Sequence, residues 1–185
     1  MQQNLVIGAQ NTLTELMSIF DTMSKKDDFE YLEVLNEHLK LVAHIPVKNI
    51  GTIAGNLMIK NRHNNFNSDI FLLLNTVGAE LSILNGQGII TRISMQTFLK
   101  EDMRGKVLFN VLLPPLNSEF IKIVTFKIMP RSQNAHAIVH AGYLYKLDKN
   151  RVLDCRIAYG GLSSAFIRAN KTERYLIGRK LFDND

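Results

Sequence analysis

Apolar residues recur along this chain with two different periods, helical in its first third and alternating in its last third. The short run Leu5 to Ala9 predicts a strand, and apolar residues at 13, 16, 17, 20 and 23 predict a helix over Thr12 to Met23. Thr12 followed by Glu15 has the spacing of a capping box, in which each side chain satisfies an amide at the helix start. A second helix is predicted over Phe29 to Leu41, with Phe29, Leu32, Leu35 and Leu39 on one face, and Pro46 bounds the segment after it. Small residues then predict a loop around Gly51 and Gly55. Lys60 to Asn67 is polar and is expected to continue as loop.

Ser68 is placed to cap a short helix over Asp69 to Asn75, which Gly78 ends. Strand patterns dominate from there. Glu80 to Leu84 and Gly88 to Ile93 flank Asn85-Gly86, a hairpin turn signal, and Val107 to Leu113 is a further strand closed by Pro114-Pro115. Beyond it, Phe120 to Lys127, Ala137 to Leu147 and Arg151 to Tyr159 alternate as three strands, and Lys171 to Leu181 predicts a closing helix. The fold class is therefore α+β in two pieces. Residues 1–114 form a mixed piece, and residues 119–185 a three-stranded antiparallel sheet with a C-terminal helix.

Composition places the 185 residues among ordinary globular chains, 46% hydrophobic and 21% charged. No apolar run approaches the length of a membrane helix, and Met1 to Asn4 has neither the basic start nor the apolar stretch of a signal peptide. No membrane association and a cytoplasmic location are expected. The net charge of +5 comes from scattered basic residues without an aromatic ladder or zinc-finger spacing. Nucleic acid is therefore not the expected partner, and the basicity suits an anionic cofactor or an acidic surface. The single Cys155 lies in an alternating segment and reads as an inert strand thiol.

Candidate chemistry narrows quickly. His136 and His140 have the i, i+4 spacing of a zinc helix, but their segment alternates, and in a strand residues four apart lie about 13 Å from each other. No metal site is expected there, and His38, His44 and His63 read as solvated. No nucleophile elbow or Cys-His arrangement marks a catalytic residue. What remains is Ile50-Gly51-Thr52-Ile53-Ala54-Gly55-Asn56, followed by Ser68-Asp69-Ile70. Two nearby glycines leave backbone N–H groups uncovered, so such a turn presses against a phosphate or a flat ring, or simply reverses the chain.

This stretch, with Leu74 to Ser82, Val107-Leu108 to Leu113-Pro114, Thr125-Phe126-Lys127 to Pro130-Arg131-Ser132, and Ala158-Tyr159-Gly160-Gly161 to Lys171-Thr172-Glu173, closely resembles the flavin-binding domain of the xanthine dehydrogenase and aldehyde oxidase family. The resemblance implies the second part of a PCMH-type FAD-binding domain, then a CO dehydrogenase flavoprotein C-terminal-like domain. It assigns FAD contacts to Thr52, Ile53, Ala54, Gly55 and Asn56 at the pyrophosphate, and to Asp69 at sugar or ribityl hydroxyls. Leu108 falls beside the cofactor and Lys127 near the ring, where a cation stabilises reduced flavin. Two positions depart from the family. Val42 stands where some members have an aromatic, and Asn134 where several dehydrogenases have an acid, which favours an oxygen-using acceptor.

In a complete member, as the resemblance implies, electrons pass from molybdenum through 2Fe-2S clusters to FAD and then to oxygen or NAD. The iron-sulfur and molybdopterin modules would be partners in the same full-length, homodimeric protein. Such members also carry, upstream of the segment resembling Leu5 to Ala9, a small subdomain that closes the other side of the pyrophosphate. With Met1 so near Leu5, the expectation is an oxidoreductase-type electron-transfer domain with part of its FAD site, binding FAD poorly or not at all. The alternative is a flavin-free fragment serving as an interaction domain.

Overall fold

The computed structural model describes residues 3–132 and 134–181; Met1 and Gln2 of the expected N-terminal piece and the last four residues of the expected C-terminal piece lie outside them. The chain runs β1 (Leu5–Gly8), α1 (Leu13–Met23), α2 (Leu32–Lys40), α3 (Ile45–Ile50), α4 (Ile53–Arg62), α5 (Asp69–Val77), β2 (Glu80–Asn85) and β3 (Ile90–Ser94). It continues through α6 (Met95–Phe98), β4 (Lys106–Leu113), β5 (Ile121–Ile128), β6 (Val139–Asp148), β7 (Arg151–Gly160), β8 (Ile167–Arg168) and α7 (Asn170–Leu176). Among the described residues no helix is long and apolar enough to cross a membrane.

Two four-stranded antiparallel sheets result, ordered β1-β4-β2-β3 and β5-β6-β7-β8. Helix α5 is the element they share. All nine of its residues are buried, because Leu and Ile occupy every side of it and no face is left for solvent. Ser68 opens this helix by accepting from the Phe71 amide, and Gly78 closes it in the left-handed conformation at φ 74°. The capping box expected at Thr12 and Glu15 opens α1. At the junction between the sheets, the Pro114 carbonyl accepts from the Tyr31 hydroxyl at 2.9 Å and the Leu116 amide donates to the Asp28 carbonyl at 2.7 Å, which ties the linker to the start of α2.

The α+β class is as the alternation implies, with local differences. The glycine-bearing segment is the first turn of a helix rather than a loop: Thr52 caps α4, its hydroxyl accepting from the Gly55 amide at 3.0 Å. That helix runs to Arg62, into the stretch expected as loop. Helices α3 and α6 were not anticipated. A two-residue β8 adds a fourth strand to the second sheet, and the closing helix ends at Leu176, short of the expected Leu181.

Candidate functional site

Sequence order places Asp69 directly after the cap of a buried helix, so its carboxylate emerges where α5, α2 and the second sheet meet. Asp69 is 6% exposed. Strand register brings the rest of the site to it: Lys127 on β5 pairs with His140 on β6, which pairs with Gly160 on β7. Lys127 Nζ donates to Asp69 Oδ2 at 2.8 Å and His140 Nδ1 lies 2.8 Å from Oδ1. His38, from α2, brings Nε2 to 3.2 Å from the same Oδ1. Three chain segments distant in sequence thus converge on one carboxylate.

Burial pushes the Asp69 carboxyl up, and hydrogen bonds from His140 and His38 together with the Lys127 charge outweigh it, holding the group well below the usual carboxylate range. Asp69 therefore stays ionised and matches the Lys127 ammonium, whose side chain has no solvent exposure. Among the described residues, His38, Asp69 and His140 are also a set of ligand atoms close enough to hold a metal ion. Lys127 bears on that reading, because an added cation would face the ammonium across the same carboxylate.

His140 needs the space that Gly160 leaves. A Cβ at residue 160 would lie 1.9 Å from His140 Nε2, against the hard limit of two packed atoms. Gly160→Ala is expected to cost about 1–3 kcal/mol by overpacking, read as a lower urea midpoint. An unchanged midpoint would show that the ring turns away at no cost.

In front of this cluster lies a cavity of about 1110 Å³, just beyond the usual span of about 300–1,000 Å³ for small-molecule sites. Val42, Val47, Ile50 and Ile59 give it an apolar wall, while Asn56, Asp69 and Lys127 supply polar groups. Its lip is inverted relative to an ordinary surface helix. In α3 the Lys48 side chain is turned inward and donates to the Lys40 carbonyl at 3.2 Å, whereas Ile45 is 73% and Ile50 80% exposed. Burial pulls the Lys48 pKa down and the nearby Lys127 charge adds to that, so two ammonium groups stand behind one wall of the cavity.

The residues singled out in the sequence divide in two. Thr52, Gly55, Asn56, Asp69 and Lys127 line the cavity, as do Val42 and Asn134. Ile53, Ala54 and Leu108 are 1%, 8% and 3% exposed and lie in the core behind it. The amides of residues 53 to 56 are not free donors: they bond Asn11 O, Ala9 O, Thr52 Oγ1 and Thr52 O. Asn56 Oδ1 accepts from the Ser68 hydroxyl, which joins α4 to the cap of α5. His38, expected to be solvated, is 3% exposed. His136 lies ahead of β6 with its ring 6.1 Å from Phe66, at the cavity, while His140 points inward.

Residues 1–116 match the family described as the FAD binding domain in molybdopterin dehydrogenase. The chain belongs to that family. Behind this FAD-binding domain, residues 124–185 match the CO dehydrogenase flavoprotein C-terminal domain. Curated relatives of the FAD-binding domain include aldehyde oxidase 3 of Mus musculus, 28% identical over 96% of this chain and 14% of that protein. Another is xanthine dehydrogenase 1 of Arabidopsis thaliana, 31% identical over 94% of this chain and 13% of that protein. The chain thus spans about one seventh of such relatives. Among solved structures, carbon monoxide dehydrogenase from Hydrogenophaga pseudoflava superposes with a TM-score of 0.82 at 21% identity, over 99% of this chain and 61% of that one. Quinoline 2-oxidoreductase from Pseudomonas putida 86 gives 0.78 at 23% identity, over 98% and 60%. At these identities the likeness establishes the fold.

Proposed function

We propose that this FAD-binding domain acts as the electron-transfer module of an oxidoreductase related to the aldehyde oxidases and xanthine dehydrogenases. It would pass electrons from iron-sulfur clusters to FAD and on to oxygen or NAD, with the iron-sulfur and molybdopterin modules as partners in a homodimeric full-length protein. The observation that carries the reading is the inverted helix α3, which presents Val47 and Ile50 to a large cavity whose rear wall holds Lys127. Exposed isoleucines beside buried cations suit a flat, largely apolar body that also carries negative charge.

The residues present fit FAD on this test. Val42, Val47 and Ile50 can cover a ring face, although Val42 fills space without stacking. Gly55 leaves open the surface where a diphosphate would approach, since its position is exposed and an added Cβ would meet only Thr52 Oγ1 at 3.2 Å. With the amides of residues 53 to 56 used inside the chain, polar contact falls to side chains such as those of Thr52 and Asn56. Lys127 has three N–H bonds, of which two go to Asp69 Oδ2 and to Leu41 O at 3.4 Å. Its side chain has no solvent exposure, so the ammonium would act on a bound ligand through its charge, and Asp69, oriented by His38 and His140, fixes where that charge sits. Bound FAD would supply the redox chemistry, and the chain's part is to bind, orient and tune it.

The test is a calorimetric titration of FAD into the purified 185-residue chain and its Gly55→Val variant. Saturable binding with Kd no weaker than about 1 mM is expected, because that limit corresponds to only about 4 kcal/mol. The branched side chain in the cradle should weaken it at least about tenfold, a loss of about 1.4 kcal/mol. Equal affinity in both proteins would reduce Gly55 to a packing residue, and no saturation in the parent would mean that these residues by themselves do not hold FAD.

A further inference from the structure

A second polar site lies at the opposite end of α5, roughly 13 Å along the helix at 1.5 Å per residue. Between the end of α5, the start of α6 and strands β7 and β8 is a cavity of about 170 Å³, lined by Asn75, Gly78, Glu80, Ser94, Arg156 and Arg168. At about 30 Å³ per water molecule, it has room for a small polyatomic ion. The Arg156 guanidinium lies flat against Gly78, where a Cβ would fall 2.1 Å from Nη1. Among the described residues, no carboxylate lies within ion-pair distance of that guanidinium. Burial pulls its pKa below the ordinary arginine value and the Arg168 charge adds to that, while the charges of Asp154 and Glu173 oppose it. A guanidinium keeps its proton in such a setting, and this half-buried one offers its N–H groups to an acceptor in the cavity.

Two further donors share the cavity. Arg168 spends its Nε on Glu173, at 2.9 and 3.1 Å from the two carboxylate oxygens, which leaves its terminal nitrogens. Asn75 is 6% exposed, and its Nδ2 has no acceptor within the described chain. An unmatched amide donor in the interior costs about 1–3 kcal/mol unless something fills the role. Two guanidinium groups and an unmatched amide donor facing one cavity, against the single carboxylate of Glu80 at its edge, define a site for a small anion.

We propose that this cavity binds a small oxyanion, the phosphate or carboxylate group of a soluble molecule, held by the fork of Arg156 with Arg168 and Asn75 beside it. Gln96 and Arg168 continue the cavity into a shallower groove of about 600 Å³, where Leu99, Phe166 and Ile167 face it. The groove gives an apolar seat to whatever carries the oxyanion. Glu80, at the lip, is the one acid among the described residues that lines the cavity, and it disfavours an occupant carrying more negative charge. The site is independent of the FAD reading, which concerns the other end of α5.

Calorimetric titration of inorganic phosphate and, separately, acetate into the 185-residue chain tests it. Saturable binding of at least one anion with Kd of about 1 mM or tighter is expected, with Arg156→Gln weakening it at least about tenfold. Arg156→Lys keeps the charge without the bidentate fork and is expected to lose about threefold or more, which guards against a fold defect in the glutamine variant. Glu80→Gln should strengthen binding. Preference for phosphate assigns a phosphoryl group, and equal binding of acetate a carboxylate. Binding of neither anion by the parent, or binding that survives both Arg156 variants unchanged, would overturn the proposal.

Discussion

Asp69→Ala is expected to cost this chain about 3–5 kcal/mol of unfolding free energy, the usual penalty for removing one partner of a buried ion pair. The alanine would leave Lys127, with no side-chain exposure, and His38 and His140, 3% and 1% exposed, without their shared acceptor. A domain of this size has about 5–15 kcal/mol in total, so the variant should unfold at a much lower urea concentration or fail to fold. Acid should act on the parent in the same sense. The folded pKa of Asp69 is depressed, so its contribution is full above the unfolded value of about 3.8 and is lost as pH falls below it toward the folded value. Asp69→Ala should flatten that part of the stability profile. A loss under about 1 kcal/mol would show that the Lys127 ammonium and the two imidazoles are satisfied without the carboxylate.

The elements that carry this cluster were legible in the sequence, and the meeting of its members was not. Helix α5 follows from Ser68, the apolar run and Gly78, and Asp69 at its first position follows with it. His38 was readable in part: it stands three residues after Leu35 and one before Leu39, on the buried stripe of α2, which a reading of histidine as a solvated side chain overlooks. On β5, Lys127 shares the inward parity of Ile121, Ile123 and Thr125, so alternation alone turns it away from solvent. Nothing local reveals that Lys127 pairs with His140 and that Gly160 makes room for the ring, because register between strands is set by packing across long sequence separation.

The glycine segment shows the opposite failure. Gly51 and Gly55 lower helix propensity and suggested a loop, yet Thr52 is an N-cap whose side chain satisfies the third turn position, and tertiary bonds to Asn11 O and Ala9 O hold the first two. Helix α3 was hidden for a related reason. Its apolar residues face outward and its lysine inward, a pattern that amphipathicity read against a single core assigns to no helix. Both departures border the cavity, the kind of place where local rules most often give way.

Phe71→Ala should have an effect as large as Asp69→Ala, about 3–5 kcal/mol, for reasons of packing rather than charge. Phe71 is fully buried in the first turn of α5 and meets the Phe166 ring edge-on, with centroids 4.8 Å apart at 81°. Lys60 lies over the same ring at 5.9 Å while its ammonium donates to the carbonyls of Asn64 and Phe66 at 2.5 and 2.8 Å. The ring therefore joins the start of α5 to the connection that precedes it and to the residues before β8. Its amide is also the one that Ser68 Oγ accepts from, at 2.9 Å, so the cap that positions Asp69 depends on the same turn. Truncation should leave a cavity on all these sides, and hydrogen exchange should quicken at the amides of residues 66 to 72 before the sheets are affected. Phe71→Leu retains much of the volume and should lose about 1.5 kcal/mol. A loss of under about 2 kcal/mol for the alanine variant, with unchanged exchange at those amides, would mean that α5 is held by the sheets alone and that the Asp69 site does not rest on this ring.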